Sequence, residues 1–279
     1  VDIIEDGCDT VITHGNGPQV GFILRRSEIA YRHEGLHFVP MVSCVADTQG
    51  ALGYQIQQAL ENEFKRRRLM KKAVTVVTQV EVNREDPSFA RPTKPIGSFY
   101  DQQQSRNLQK DHPDWVFLHD VGRGYRRAVA SPRPIRIIEL EAIDSLIKQG
   151  FCVVATGGGG IPVVRQSDGS LEGCDAVVDK DFASSLLASN LGADTLLIST
   201  AVDNVYLHFG QENQTPLKEV SAKEIQNFMA QGHFSDGSML PKVKAALEFL
   251  ENGGSRVIIT SPHLLRKAMM GEAGTCIYK

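Results

Sequence analysis

The cysteines of this chain are too few and too scattered to form a framework. Cys8, Cys44, Cys152, Cys174 and Cys276 are odd in number, far apart and never in a Cys-x-x-Cys pair. A disulfide scaffold or a zinc ribbon needs matched spacing, so the pattern predicts reduced thiols in a cytoplasmic protein. Long apolar runs are missing too: none approaches the ~20 residues of a membrane-spanning helix, and no secretory signal or membrane contact is expected. A net charge of −3 offers no general attraction to nucleic acid or to a membrane surface. There is no Walker A pattern, no protein-kinase signature, and no convincing Ser-His-Asp or Cys-His set for nucleophilic catalysis. What is present is ordinary globular composition: 279 residues, 42% hydrophobic and 23% charged. That is enough chain for one large α/β domain or two lobes that share a cleft.

Short β-branched runs alternate with helical patterns along most of the chain. The pattern predicts strands at 10–13, 73–80, 151–156, 161–165, 194–200, 203–208, 256–261 and 275–278. It predicts helices at 18–32, 48–68, 135–149, 181–191, 221–231, 241–252 and 262–270. Ser221 with Glu224 has capping-box spacing, Pro241 suits a first helical position, and Gly253-Gly254 suits a helix stop. Such alternation implies a mostly parallel sheet covered by helices on both faces, with ligands at the carboxyl ends of the strands. Residues 84–127 break the rhythm and hold the single tryptophan, Trp115. A structureless loop of that length is improbable in a compact domain, so an inserted arm with small strands of its own is expected. Gln166-Ser167-Asp168-Gly169-Ser170 reads as a hairpin turn. Val1-Asp2-Ile3-Ile4-Glu5-Asp6-Gly7 reads as the end of a helix that starts earlier.

Two glycine-rich turns follow predicted strands. In Thr13-His14-Gly15-Asn16-Gly17-Pro18-Gln19-Val20-Gly21, glycines leave backbone N–H groups uncovered and Pro18 suits the first turn of a helix. The segment fits an anion site at a helix N-terminus, and equally an ordinary strand-to-helix turn. In Thr156-Gly157-Gly158-Gly159-Gly160-Ile161-Pro162, four successive glycines exceed what a turn requires, which favours close approach of backbone to a ligand. Three lysines accompany these turns. Lys180, between Asp179 and Asp181, either belongs to a capped surface helix or offers a point charge to phosphate oxygens, with Asp181 placing it. Lys242 sits at the opening of a helix, where positive charge opposes the dipole unless an anion is bound. Lys94 is held in Pro92-Thr93-Lys94-Pro95-Ile96-Gly97 and alone would pass for a solvated loop residue. The segment 200–206 suits a purine pocket, with Asp203 available to ribose or base, or else a pair of core strands.

Three patterns compete with this reading. His33-Glu34-Gly35-Leu36-His37 matches the zinc-protease spacing, with Glu61 and Glu63 as further ligands, but Gly35 and the extended Phe38-Val39-Pro40 argue against a shared helix face. The run Lys65-Arg66-Arg67-Arg68 with Lys71-Lys72 resembles a nucleic-acid patch, yet it lies at a helix C-terminus, where cations are favoured anyway. Arg123, Arg126, Arg127 and Arg133 either touch phosphate or stitch the arm together.

Taken in order, residues 14–21, 92–97, 131–134, 157–162, 178–181 and 237–243, with Gly122-Arg123-Gly124-Tyr125-Arg126-Arg127, resemble carbamate kinases nearly end to end. The resemblance implies the amino-acid-kinase fold: a three-layer αβα sandwich with a mostly parallel sheet, plus a protruding arm at about 95–127. It implies one domain, 1–279, of two lobes: 1–178 for the acyl substrate carbamate and 179–279 for the nucleotide. It further implies direct in-line transfer between ATP and carbamate, giving ADP and carbamoyl phosphate, in a homodimer using Mg2+ held mainly by the nucleotide phosphates. Arginine breakdown is the metabolic setting it suggests. Carried over by residue, Gly15, Asn16 and Gly17 lie against carbamate and γ-phosphate, and Gly157, Gly158 and Gly159 enclose the acyl substrate. Lys94 reaches in from the arm, Lys180 and Lys242 neutralise phosphoryl oxygens, and Asp181 orients them. Ala201, Asp203, Val205, Tyr206, Met239 and Pro241 line the nucleotide pocket. Members of that family open with a strand ending in Gly-Gly-Asn, which does not precede Val1 here. The expectation is therefore either a segment outside this sequence or an impaired relative that binds nucleotide or metabolite without turnover.

Overall fold

The computed structural model describes every residue except Val121 and Asp236. Two compact units emerge, one of residues 11–183 and one of residues 184–279 together with 1–10.

In the first unit Phe151–Val154 runs parallel to Val11–Ile12 on one side and to Lys72–Thr75 on the other. Cys152, Val153 and Val154 are buried, as a central parallel strand of apolar residues requires. A second sheet has the order Leu171–Gly173, Ile161–Arg165, Gln79–Val82, Pro134–Ile137. Its middle pair is parallel and its outer pairs antiparallel, the first being the expected hairpin around Gly169. The strand predicted at 73–80 is thus two strands in two sheets. The break comes at Thr78, whose N–H and C=O both bond the Gln49 side chain, at 2.7 and 3.0 Å.

Two long helices belong to this unit. Gly17–Glu34 follows the first glycine turn, and Met41–Arg67 begins earlier than the 48–68 predicted. Buried Met41, Cys44, Val45 and Thr48 keep the spacing of one helix face, so burial outweighs the weak helix propensity of Val42, Ser43 and Val45. The predicted helix 135–149 likewise gives way to a strand, Pro134–Ile137, before the helix Leu140–Lys148. β-branched Ile135 and Ile137 are better suited to a strand, and Ile137 is buried where it pairs with Val80 of Gln79–Val82.

Residues 84–127, of which Val121 lies outside the described set, hold the small strands expected of an arm. Gly124–Val129 lies between Lys94–Tyr100 and Val116–Asp120, antiparallel to both. The helix Gln102–Asp111 opens with an Asp101–Gln104 capping box. Tyr100, Leu108 and Trp115 form a small core with Phe117 of the insertion and with Phe38, which lies outside it.

The second unit is built on a sheet in the order Thr195–Ser199, Arg256–Thr260, Thr275–Tyr278, Glu219–Ser221. Its outer pairs are parallel and its central pair antiparallel. Val205, Ile225, Val243, Phe249, Val257 and Ile277 form a fully buried core. The Ser221–Glu224 capping box opens the helix Ala222–Ala230 as predicted. Pro241 is the third residue of its helix, Met239–Glu251, not the first. Proline is tolerated there because that N–H also lacks an intrahelical acceptor. The predicted helix 262–270 is a 3-10 turn, Pro262–Leu264, followed by Leu265–Met269. An ion pair of 2.7 Å between Asp6 and Arg266 ties the N-terminal residues to this unit. Among the described residues no helix is long and apolar enough to cross a membrane.

Candidate active site

The first glycine turn leads from Val11–Ile12 into a helix whose N-cap, Asn16, makes no side-chain capping bond. Asn16 is buried and donates instead to Thr48 Oγ1 at 2.9 Å, and the Thr48 hydroxyl in turn donates to the Val45 carbonyl at 2.7 Å. No acidic side chain stands in the helix's first turn. Uncapped first-turn N–H groups of this kind suit an anionic ligand.

The second glycine turn continues Phe151–Val154. Thr156 is buried in a left-handed conformation at φ 48°, and its hydroxyl has no hydrogen-bond partner. A strained, unsatisfied group is a mark of functional sites. Gly157–Gly159 then form a 3-10 turn with Gly158 and Gly159 at φ 68° and 96°. A Cβ at 158 would overlap the Asn16 amide, and one at 159 would overlap the Val178 carbonyl. Only glycine satisfies both the backbone angle and the space. The two turns are joined directly, by a 2.7 Å bond from Gly158 N–H to the His14 carbonyl. Gln49 fixes them from below, donating at 3.0 Å to both the Gly157 and Thr78 carbonyls.

Charge enters from the helix Lys180–Asn190 and from the arm. The Lys180 side chain crosses Gly15, its Nζ 3.4 Å from where a Cβ of residue 15 would stand. Asp179 accepts from the Asp181 N–H at 2.9 Å and from Lys94 Nζ at 2.7 Å. Asp181 is buried at the start of the same helix. Arg133 lies with its guanidinium carbon 3.5 Å from the centre of the Phe182 ring. Desolvation pulls its pKa down, against the opposing charges of Asp179 and Asp86. Gly15, Asn16, Gly157–Gly159, Lys180 and, through Asp179, Lys94 therefore occupy one neighbourhood of the first unit.

No thiol there is prepared for attack. Burial pushes Cys44, Cys152 and Cys174 up to about 11, so each stays protonated at neutral pH. What the site offers is bare backbone donors and fixed ammonium groups. Those position and neutralise an anion rather than form a bond to it.

The residues predicted for a nucleotide belong to the second unit. Ala201 and Asp203 follow Thr195–Ser199, and the Asp203 carbonyl accepts from Thr260 Oγ1 at 3.1 Å. The Val205 side chain is consumed by the core, and its N–H donates to Thr275 Oγ1 at 2.8 Å. Tyr206 packs 6.0 Å from Phe209, ring centre to ring centre. Met239 packs partly buried against the same core, while Pro241 and Lys242 stand in the opening residues of Met239–Glu251.

The competing patterns dissolve in the structure. The helix ends at Glu34, with Gly35 left-handed at φ 65°, so His33 and His37 share no helix face. Among the described residues no three His, Cys, Asp or Glu side chains are grouped to hold a metal ion. The basic run closes the helix Met41–Arg67, where Arg66 and Arg67 hold the Glu63 carboxyl down to about 2. Arg126 donates to the Gly97 carbonyl, and Arg127 pairs with Asp175 at 2.7 Å while stacking on Trp115. These arginines stitch the arm.

Sequence reasoning missed Gln49, Thr78 and Asp179 as parts of the site. Gln49 carried a signal, a fully buried amide in the middle of an apolar helix face, but burial is visible only once the helix is packed. Asp179 is legible in the sequence as a helix cap beside Lys180, but not as the partner of Lys94.

The model of the amino acid kinase family matches residues 1–261. "Carbamate kinase-like protein YahI" of Escherichia coli is 55% identical over 279 residues, covering 100% of this chain and 88% of that protein. "Carbamate kinase 3" of Staphylococcus aureus is 48% identical, covering 99% of this chain and 89% of its own length. The solved carbamate kinase from Giardia lamblia bound to AMP-PNP superposes with a TM-score of 0.93 at 40% identity, over 100% of this chain and 87% of that one.

Proposed function

We propose, from the premise that this chain belongs to the amino acid kinase family, that it is a carbamate kinase. It moves a phosphoryl group reversibly between ATP and carbamate, giving ADP and carbamoyl phosphate. The observation that carries this reading is the Lys180 side chain laid across Gly15, beside two glycine turns bonded to each other. A carbamate oxygen attacks the γ-phosphorus in line while the bond to the ADP oxygen breaks, with no enzyme-bound intermediate. Such a transfer asks the protein mainly for position and for neutralised charge.

In this reading the N–H groups around Gly15, Asn16 and Gly17 hold the moving phosphoryl group, and Gly157, Gly158 and Gly159 enclose carbamate. Lys94, Lys180 and Lys242 neutralise phosphoryl oxygens, and Asp181 orients the lysines. Residues 11–183 take the acyl substrate. The nucleotide goes to the second unit, at Ala201, Asp203, Val205, Tyr206, Met239 and Pro241, with Val205 contributing backbone only. The nucleotide-bound Giardia relative supports that use of ATP. Mg2+, held mainly by the nucleotide phosphates, would neutralise part of their charge when bound. A homodimer in the cytoplasm, serving arginine breakdown, completes the reading by family resemblance. The test is ATP formation from ADP and carbamoyl phosphate, compared between this chain and Lys180→Ala.

A further inference from the structure

We propose that Asp179 is a positioning residue for Lys94, coupling the arm to the helix that carries Lys180. This rests on the reading that the site transfers a phosphoryl group.

The two carboxylate oxygens of Asp179 serve different partners. Oδ1 accepts from the Asp181 N–H at 2.9 Å, and the Asp179 main-chain carbonyl accepts from the Ala183 N–H at 3.0 Å. Asp179 thereby caps the helix Lys180–Asn190 and sets where Lys180 leaves the backbone. Oδ2 accepts from Lys94 Nζ at 2.7 Å, the distance of a charge-assisted bond. Lys94 opens the first strand of the arm, Lys94–Tyr100, and lies 85 residues away in sequence. One side chain therefore fixes two lysines that the proposed chemistry needs together.

The environment favours this use of the pair. The Asp179 side chain is only 16% exposed and that of Lys94 37%, so the bond is partly shielded from solvent. Arg133, held over Phe182, adds a second positive charge that acts on Asp179. Cations gathered to receive a phosphoryl group repel one another before it arrives. A carboxylate among them offsets that repulsion and holds the Lys94 ammonium in place. An ammonium has three donors, so Lys94 keeps its bond to Asp179 and still offers protons to a phosphoryl oxygen. Nothing must then be rearranged at the moment of transfer.

The test exploits the need for two acceptors. Asparagine is as good a helix cap as aspartate, but it has one oxygen. In Asp179→Asn the oxygen is retained by the Asp181 N–H, and an NH2 group meets Lys94, donor against donor. Steady-state kinetics of ATP formation are measured for the wild type, Asp179→Asn, Lys94→Ala and the double variant. The expected result is a fall in kcat of about 10- to 100-fold in Asp179→Asn, at or below what outright loss of one electrostatic donor costs, because Lys94 is misplaced and not removed. The double variant should be no more than about threefold worse than Lys94→Ala, because both changes remove one interaction. Asp179→Glu, which restores the second oxygen, should recover part of the loss. Wild-type kcat in Asp179→Asn, or losses that multiply in the double variant, would overturn the proposal.

Hydrogen exchange gives a reading independent of turnover. In Asp179→Asn, residues 94–100 should lose protection to the level of Lys94→Ala, while residues 183–190 keep theirs. Loss of protection in the helix alone would show Asp179 to be only a cap. Should the wild type form no ATP, the functional reading fails, and the exchange pattern still decides the coupling.

Discussion

The Asn16 side-chain amide occupies the space that any Cβ at position 158 would need. Asn16 is buried and bonded to Thr48, so it has no room to withdraw. Gly158→Ala should therefore separate the two glycine turns, adding a clash to a backbone at φ 68° that alanine resists. The expected cost is about 1–3 kcal/mol of stability, as for overpacked sites, together with a loss of activity. Denaturant melts and initial rates of the purified variant check both; an unchanged midpoint would show that the turns are not so closely fitted.

Gly17 provides the contrasting case. A Cβ there meets nothing within 4 Å, and its backbone needs no glycine. Gly17→Ala should melt like the wild type yet bind phosphate-bearing substrate less well, because its methyl group intrudes where the ligand approaches. Unchanged KM values would remove Gly17 from the phosphoryl site.

Lys180→Ala should lower the rate by at least ~100-fold, the usual effect of deleting an electrostatic donor at a transferring group. Lys242→Ala should do the same. Neither should shift the melting temperature by more than a degree or two, since neither side chain holds a core together. Near-wild-type turnover in either variant would cancel the role given to that lysine.

Gly53 reports on the scaffold. It lies in Met41–Arg67, and a Cβ there would strike the Thr75 side chain of the neighbouring strand. Gly53→Ala should destabilise the fold by about 1–3 kcal/mol while leaving kcat of the folded fraction unchanged. Thermal unfolding and rates measured well below the midpoint test this.

Burial raises the Cys44 and Cys152 thiols to about 11, above the value an unfolded chain would show. Between roughly pH 9 and 11 the unfolded state loses those protons and the folded state keeps them. Folding stability from this source is thus complete below about pH 8.5 and falls as pH rises. The urea midpoint of Cys44→Ala should decline less from pH 8 to pH 10 than that of the wild type. Equal slopes would contradict the assignment.

How much of this was legible beforehand follows from what kind of signal each element carries. The capping box at Ser221 and the hairpin at 166–170 are local chemistry, and both appear where the residues predict them. The glycine turns and Lys180 were readable because residue type alone constrains them. The split of 73–80 into two strands was not, because Thr78 is diverted by Gln49 from a distant helix. The early start at Met41 escaped for a related reason: burial against the rest of the unit decides it, not propensity. The capping role of Asp179 is local and readable, but its pairing with Lys94 is not, because a partner 85 residues away leaves no local trace.

The proposed role of these turns and lysines is to hold a phosphoryl group in transit between carbamate and a nucleotide. It is tested most directly by mixing the pure protein with ADP, Mg2+ and carbamoyl phosphate and following ATP. The account predicts ATP formation that depends on protein concentration and collapses in Lys180→Ala. A chain that binds ADP but yields no ATP above the spontaneous background, or one whose Lys180→Ala variant yields as much, would contradict it.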